Sequence, residues 1–313
     1  MLRLTLLFTS FALALAISGC TTTQRSVSAN QNSRVSLIVI HHTTSNFEDS
    51  YYVLTEPTSR PVSSHYLIPE PGDPTYGKSK LRVYQLVDEN RRAWHAGVSH
   101  WGGKDGINDQ SIGIELVNQT WCHASDESKD TETGYPERIC FYPDFDDGQL
   151  ALLTELLGDI LERHPDISPT HIVGHSDVAP DRKIDPGPRF PWERLAKLGY
   201  GAWFDDETVI RYWERFLKEP LPLVNIQNAL ATYGYGIEPT GEDDEQTRNV
   251  LRAFQLHFRP YLVTREADVE TTAILFALIE KYYPEQLDEL LLVEAASPPD
   301  EATEALPDSE ATS

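Results

Sequence analysis

Residues 36–43 read SLIVIHHT, and this stretch constrains the fold more than any other. Leu37 to Ile40 is an unbroken apolar run, mostly β-branched. Successive strand residues point to opposite faces, so a strand apolar at every position needs cover on both sides. The chain must therefore build a sheet with a layer on each face. Hydrophobic residues make up 40% of the 313 residues, enough to supply such a core. His41, His42 and Thr43 follow the run and stand at the strand's end.

Further short strands are expected at SSHYLIP, LRVYQLV and SIGIELVN. In the last, Ile112, Ile114 and Leu116 share one face and Glu115 takes the other. A helix should start near Asp147, capped by Asp146 or Asp147, with Leu150, Leu153, Leu157, Ile160 and Leu161 as its apolar stripe. It should end near His164-Pro165, before a short strand and a loop in HIVGHSDVAP. The order gives an α/β fold: a mixed central β-sheet flanked by helices. After a helix from about Glu207 to Lys218 and the Pro-rich EPLPL, helical patterns recur. Asp243 or Asp244 can cap a helix carrying Val250, Leu251, Phe254 and Phe258, and Asp268 can cap the next. These patterns mark a helical C-terminal region.

His41 and His175 each end a strand, and Asp185 follows ten positions later in a Pro- and Gly-stiffened loop. Two imidazoles and a carboxylate suit zinc, with a fourth position left for water. His42 should not bind the metal, since neighbouring strand residues face opposite ways. The HExxH pattern of helix-borne metalloproteases is absent from the sequence. A formal net charge of −23, from 26 Lys+Arg against 49 Asp+Glu, argues against nucleic acid as a partner.

The segments VIHHTTS, SSHYLIPEPG, VYQLVDENRRAWHAG, SIGIELVN, VGHSDVAPDRKIDPGP and FPW occur in the order found in the zinc-dependent N-acetylmuramoyl-L-alanine amidases of the amidase-2, peptidoglycan-recognition-like family, which the chain resembles over about residues 35–200. The resemblance implies a zinc hydrolase that cuts the amide between N-acetylmuramic acid and L-alanine in peptidoglycan or muropeptides. It places His41, His175 and Asp185 at zinc-ligand positions, and Glu115 and Lys183 at catalytic ones. Glu115 would act as general base and Lys183 would stabilise the oxyanion. Trp94, His95 and Asn118 could line the groove and contact substrate, and His65 lies in a family motif; the other reading of all four is a structural, packing role. The alternative is a non-catalytic peptidoglycan-recognition protein of the same fold. Residues 208–285 resemble a peptidoglycan-binding-like helical module, on IQNAL, the YGY turn, TG and AFQ, which implies a small three-helix C-terminal domain.

The ends differ in character. An apolar run follows Arg3 and stops at Ile17-Ser18-Gly19-Cys20, which resembles a bacterial lipobox with Cys20 as the lipidated residue. With Thr21 next, the resemblance implies an outer-membrane lipoprotein facing the periplasm, membrane-bound through its N-terminal lipid. The remaining cysteines, Cys122 and Cys140, flank a polar stretch that reads as a surface loop. A bridge between them would close about 18 residues, worth roughly 3 kcal/mol in the chain-entropy model; two free thiols are the alternative. The expected organisation is signal peptide 1–19, tether 20–34, amidase domain 35–205, helical domain 206–290 and an acidic, disordered tail 291–313.

Overall fold

The computed structural model describes residue 26, residues 28–30, 33–129 and 136–292, with the side chains of 124–129 and 136–138 outside that description. Cys20, the signal peptide and residues 293–313 lie outside the described residues.

The predicted central strand is β1, Leu37–His42, buried at every position. Helix α1, Phe47–Thr55, follows, capped by the Asn46 side chain. Strands β2 (Tyr66–Ile68) and β3 (Tyr84–Gln85) come next. A small ribbon of β4 (His100–Trp101) and β5 (Lys104–Asp105) precedes β6, Ser111–Leu116. Strands β7 (Trp121–Lys129) and β8 (Pro136–Phe141) pair antiparallel. Helix α2 spans Asp147–Arg163, and β9 (Ile172–Gly174) runs into the short α3, His175–Val178. Helix α4 is Trp192–Lys197. The C-terminal part holds α5 (Asp206–Lys218), α6 (Leu223–Tyr233), α7 (Glu245–Phe258), α8 (Val269–Tyr282) and α9 (Leu287–Leu291).

The main sheet has the order β3-β2-β6-β1-β9, with β3 antiparallel to β2 and the other pairs parallel. It is thus the mixed sheet expected. Ile38 and Ile40 pack with Ile112, Ile114 and Leu116 against α2, whose stripe includes Leu150, Leu153, Leu157 and Ile160. Asp146 is the cap, its side chain accepting the Gly148 N–H. On the other face, Leu37, Val39 and Val173 join one core with Tyr212, Leu230, Tyr233, Phe254 and Phe276 of the C-terminal helices. The helical part is therefore the second cover that the all-apolar β1 requires.

The three-helix module corresponds to α6, α7 and α8, with α5 before it and the short α9 after. Asp244 and Asp268 cap α7 and α8 through the Thr247 and Thr271 N–H groups. Two buried glutamines tie the loops down alike. Gln227 donates to Thr247 Oγ1 and the Glu242 carbonyl and accepts from Gly241 N–H. Gln255 donates to Thr271 Oγ1 and the Glu266 carbonyl and accepts from Thr264 and Arg265 N–H. Buried amides need such partners, so each fixes its loop.

The segment between Cys122 and Cys140, read as a loop, is instead the β7–β8 ribbon. Cys122 sits directly opposite Cys140, and the two form a disulfide. Trp121 stacks on Phe141 at 4.4 Å beside it. Cross-strand pairing and an aromatic contact join the described residues on either side of 130–135, where polar composition signals only a turn region.

Candidate active site

β1 alternates its side chains across the sheet, so Leu37, Val39 and His41 share a face. On β6 the same face carries Ser111, Gly113 and Glu115, and His41 lies opposite Glu115 in the register. The end of β9 delivers His175, and the loop after α3 returns to place Asp185. The Asp185–Pro186 peptide is cis. Gly174 is required here: a Cβ on it would lie 2.7 Å from Pro186 Cδ.

Three donor atoms converge. His41 Nδ1 is 2.9 Å from His175 Nδ1, and each is 3.1 Å from Asp185 Oδ2. All three residues are buried. These are electron-rich atoms facing one another in a dry place, an arrangement a cation stabilises and an empty core does not. Burial and the neighbouring His175 lower the His41 pKa to about 4, against the pull of Asp185. The imidazole is therefore neutral at pH 7, as a metal ligand must be. Among the described residues, this trio is the cluster able to hold a metal ion.

The far nitrogens fix the tautomers. His41 Nε2 is 3.0 Å from His95 Nδ1. His95 Nε2 is 3.1 Å from Ser111 Oγ, whose hydroxyl donates to the Ile107 carbonyl at 2.6 Å. With Ser111 donating onward, His95 Nε2–H donates to Oγ and His95 Nδ1 accepts from His41 Nε2–H. His41 Nδ1 is left with a lone pair toward the cluster. His175 Nε2–H donates to the Ala96 carbonyl at 3.3 Å, which frees its Nδ1 in the same way. Asn108 Oδ1 accepts the His95 and Ala96 N–H groups and so fixes that backbone. Gly113 makes room: a Cβ there would lie 2.5 Å from the His95 ring. Partners of this kind orient metal ligands and raise their basicity.

The cluster opens into a cavity of about 730 Å³ that Glu115, Lys183, Trp94, Thr120 and Trp121 also line. A larger depression of about 960 Å³ beside Glu89 and Arg163 lacks any such donor set. Glu115 Oε2 is buried with no hydrogen-bond partner. Burial, reinforced by Asp185 and opposed by Lys183, pushes the Glu115 pKa up to about 8.

His42 is outside the metal trio, near Thr120 Oγ1 at 3.3 Å. Trp94 is half exposed on the cavity wall, and His95 lines the cavity while serving His41. Two residues expected at the substrate are placed elsewhere. His65 is fully buried; its Nδ1 accepts the Gly113 N–H and its Nε2 donates to the Arg91 carbonyl, so it is a strut with no free nitrogen. Asn118 is buried too, donating to the Pro143 carbonyl and accepting from Thr120. Neither reaches the cavity wall. Ser111 and Asn108 were not anticipated; the period-2 alternation that exposes Glu115 places Ser111 on its face as well.

The chain is similar to known proteins over most of its length. The family profile described as N-acetylmuramoyl-L-alanine amidase matches residues 31–188, and a peptidoglycan-binding-domain profile matches residues 222–275. N-acetylmuramoyl-L-alanine amidase AmiD of Escherichia coli K12 is 42% identical over 250 residues, covering 80% of this chain and 84% of that one. Its structure with the substrate anhydro-N-acetylmuramic acid-L-Ala-D-gamma-Glu-L-Lys superposes with a TM-score of 0.68 at 39% identity, over 82% of this chain and 93% of that one. AmpDh3 from Pseudomonas aeruginosa, in complex with anhydromuramic pentapeptide, gives a TM-score of 0.73 at 42% identity, over 86% of this chain and 99% of that one.

Proposed function

The chain belongs to the N-acetylmuramoyl-L-alanine amidase family and is a hydrolase of the amide between N-acetylmuramic acid and L-alanine; from that premise we propose that His41, His175 and Asp185 hold a catalytic zinc ion. The carrying observation is the convergence of two imidazole Nδ1 atoms and one carboxylate oxygen within 3.1 Å of one another. Two nitrogens and one oxygen match the three-ligand sets of catalytic zinc. A zinc ion held by these three residues would lower the pKa of water from about 15.7 to about 7 and would polarise the scissile carbonyl.

The protein groups do the rest. Glu115 Oε2, held dry without a partner, takes the proton of the attacking water and delivers it to the departing amine nitrogen. Burial favours its protonated form, which suits delivery of the proton to the amine, and a cation held by His41, His175 and Asp185 would lower that pKa and free the carboxylate to accept the proton first. The Lys183 ammonium stabilises negative charge growing on the carbonyl oxygen. Trp94 and Trp121 give the cavity apolar walls for the sugar or peptide. A non-catalytic recognition role is disfavoured because every group needed for hydrolysis is present.

The substrate is peptidoglycan or muropeptides, with the helical part adding wall affinity. The N-terminal Ile17-Ser18-Gly19-Cys20 supports lipidation of Cys20, an outer-membrane location and a catalytic part facing the periplasm. Digestion of purified muropeptides, read by mass spectrometry, should yield the free stem peptide and lactyl-bearing sugar. Chelation should stop the reaction and zinc restore it; chelator-resistant cleavage counts against the metal. For the anchor, wild-type protein should carry acyl mass on Cys20 and sediment with membranes, whereas Cys20→Ser should do neither. Soluble, unacylated wild type would reject it.

A further inference from the structure

The segment from His175 to Asp185 carries two of the three ligands of the cluster, and side chains of the C-terminal helices grip it from behind. Asp177 is fully buried. Its Oδ2 accepts the Gly174 N–H and the His257 Nδ1–H, both at 2.7 Å, and its Oδ1 accepts the Tyr235 hydroxyl at 2.7 Å. Two of these three donors belong to the helical part: Tyr235 follows α6, and His257 lies on α7. Three residues further along the segment, the Pro180 carbonyl accepts from Arg252 Nη2 at 2.5 Å, again from α7.

The donors are themselves fixed. The His257 ring lies flat on Trp192, with centroids 3.9 Å apart and planes 16° apart, and its other neighbour is Phe258. Tyr235 meets Trp101 edge-on at 4.9 Å. Val178 and Ala179 join the core shared with the helices.

This matters for His175. The helix that begins with it, α3, is only four residues long. So short a helix cannot hold its own shape, because nucleation costs more than one turn returns. Its placement must come from tertiary contacts: His175 and Arg182 hold the Ala96 and Val98 carbonyls on one side, and Tyr235, His257 and Arg252 hold Asp177 and Pro180 on the other. A buried carboxylate deprived of a donor shifts toward those that remain or admits water. A shift at Asp177 moves a residue two positions from the ligand.

We propose that Tyr235, His257 and Arg252 are positioning residues for the metal centre: the helical part sets the geometry of the His175–Asp185 segment and thereby the metal affinity. This rests on the zinc reading given above. It assigns the C-terminal helices a role inside the catalytic site in addition to any contact with the cell wall.

The test uses the full chain stripped of metal. Zinc is titrated against a chromophoric chelator, and Co²⁺ is bound in parallel for its visible spectrum, which reports ligand geometry without reference to activity. The Tyr235→Phe/His257→Leu double variant should bind zinc at least roughly tenfold more weakly, the lower end of the effect of removing outer-shell partners of a metal site, with an altered Co²⁺ spectrum. His257→Asn, which keeps an N–H near the place of Nδ1, should recover most of the affinity lost in His257→Leu. Tyr282→Phe is the control. It removes another hydroxyl contact between the two parts, to the Trp203 backbone beyond the end of this segment, and should leave zinc affinity at the wild-type value even if melting falls. If the double variant does not fold, Tyr235→Phe alone decides by the same readouts, since it deletes one oxygen. Wild-type zinc affinity and spectrum in the folded variant would overturn the inference and leave Asp177 a purely structural clasp. A wild-type protein that binds no zinc overturns the zinc reading first, a result distinct from any difference among variants.

Discussion

Glu115 and His41 face each other across adjacent parallel strands, and their roles differ by what surrounds them. His41 has a partner on each nitrogen, while Glu115 Oε2 has none. A group so placed serves a molecule the protein does not itself supply. Glu115→Gln should therefore retain zinc and the native melting temperature yet lose about 10²- to 10⁴-fold in kcat, the usual contribution of a general base. Normal turnover in that variant would remove the assignment. The same scale shows what the sequence could tell. His41, His175, Asp185 and Glu115 were legible because strand ends, alternation and family motifs each point to them. For His65 and Asn118 the sequence leaves substrate contact and packing both open, because their partners, Gly113, Arg91 and Pro143, come from other elements. Spacing carries no trace of such contacts.

Elements were legible where their own residues decide them. Helix α2 declares itself through Asp146 and its leucine stripe, and β1 through an unbroken apolar run. The two-residue strands β4 and β5 and the β7–β8 ribbon depend on pairing partners instead, and polar composition hides them. One junction between elements yields a pH prediction. Glu89 accepts from Tyr66 on β2, from Arg163 at the end of α2 and from His164 beyond it. Burial alone would raise the Glu89 pKa, but these hydrogen bonds outweigh it and bring the value from 4.5 down to about 2. A carboxylate with a depressed folded-state pKa contributes stability above its unfolded value and loses it as pH falls through the folded one. Glu89 should thus support folding above pH 4.5 and cease to do so as the pH falls toward 2. Glu89→Gln should flatten the melting temperature against pH across that window. An unchanged profile would mean the cluster does not couple to folding.

At the scale of the whole molecule, the division at residue 205 marks a change of motif but not a break in the core. Leu37, Val39, Trp101, Val173 and Val178 from the amidase part bury against the same helices that carry Tyr212, Leu230 and Phe254. Exposing a buried side chain of this size costs about 1.5–3 kcal/mol. Five of them together approach the roughly 5–15 kcal/mol that holds a typical native protein together. The clasp at Asp177 would be left open as well, with a buried carboxylate stripped of two donors. A chain ending at residue 205 should therefore aggregate on expression, or remain as a dye-binding species without a cooperative melt. The isolated helical part meets the same problem from the other side. The measurement is solubility, dye binding and thermal unfolding of the truncated chain beside the intact one. A truncated chain that is monomeric, melts cooperatively and binds zinc as tightly as the intact protein would show that the sheet's second face tolerates water. The helices would then be an appendage, and the unbroken apolar run of β1 would need another explanation.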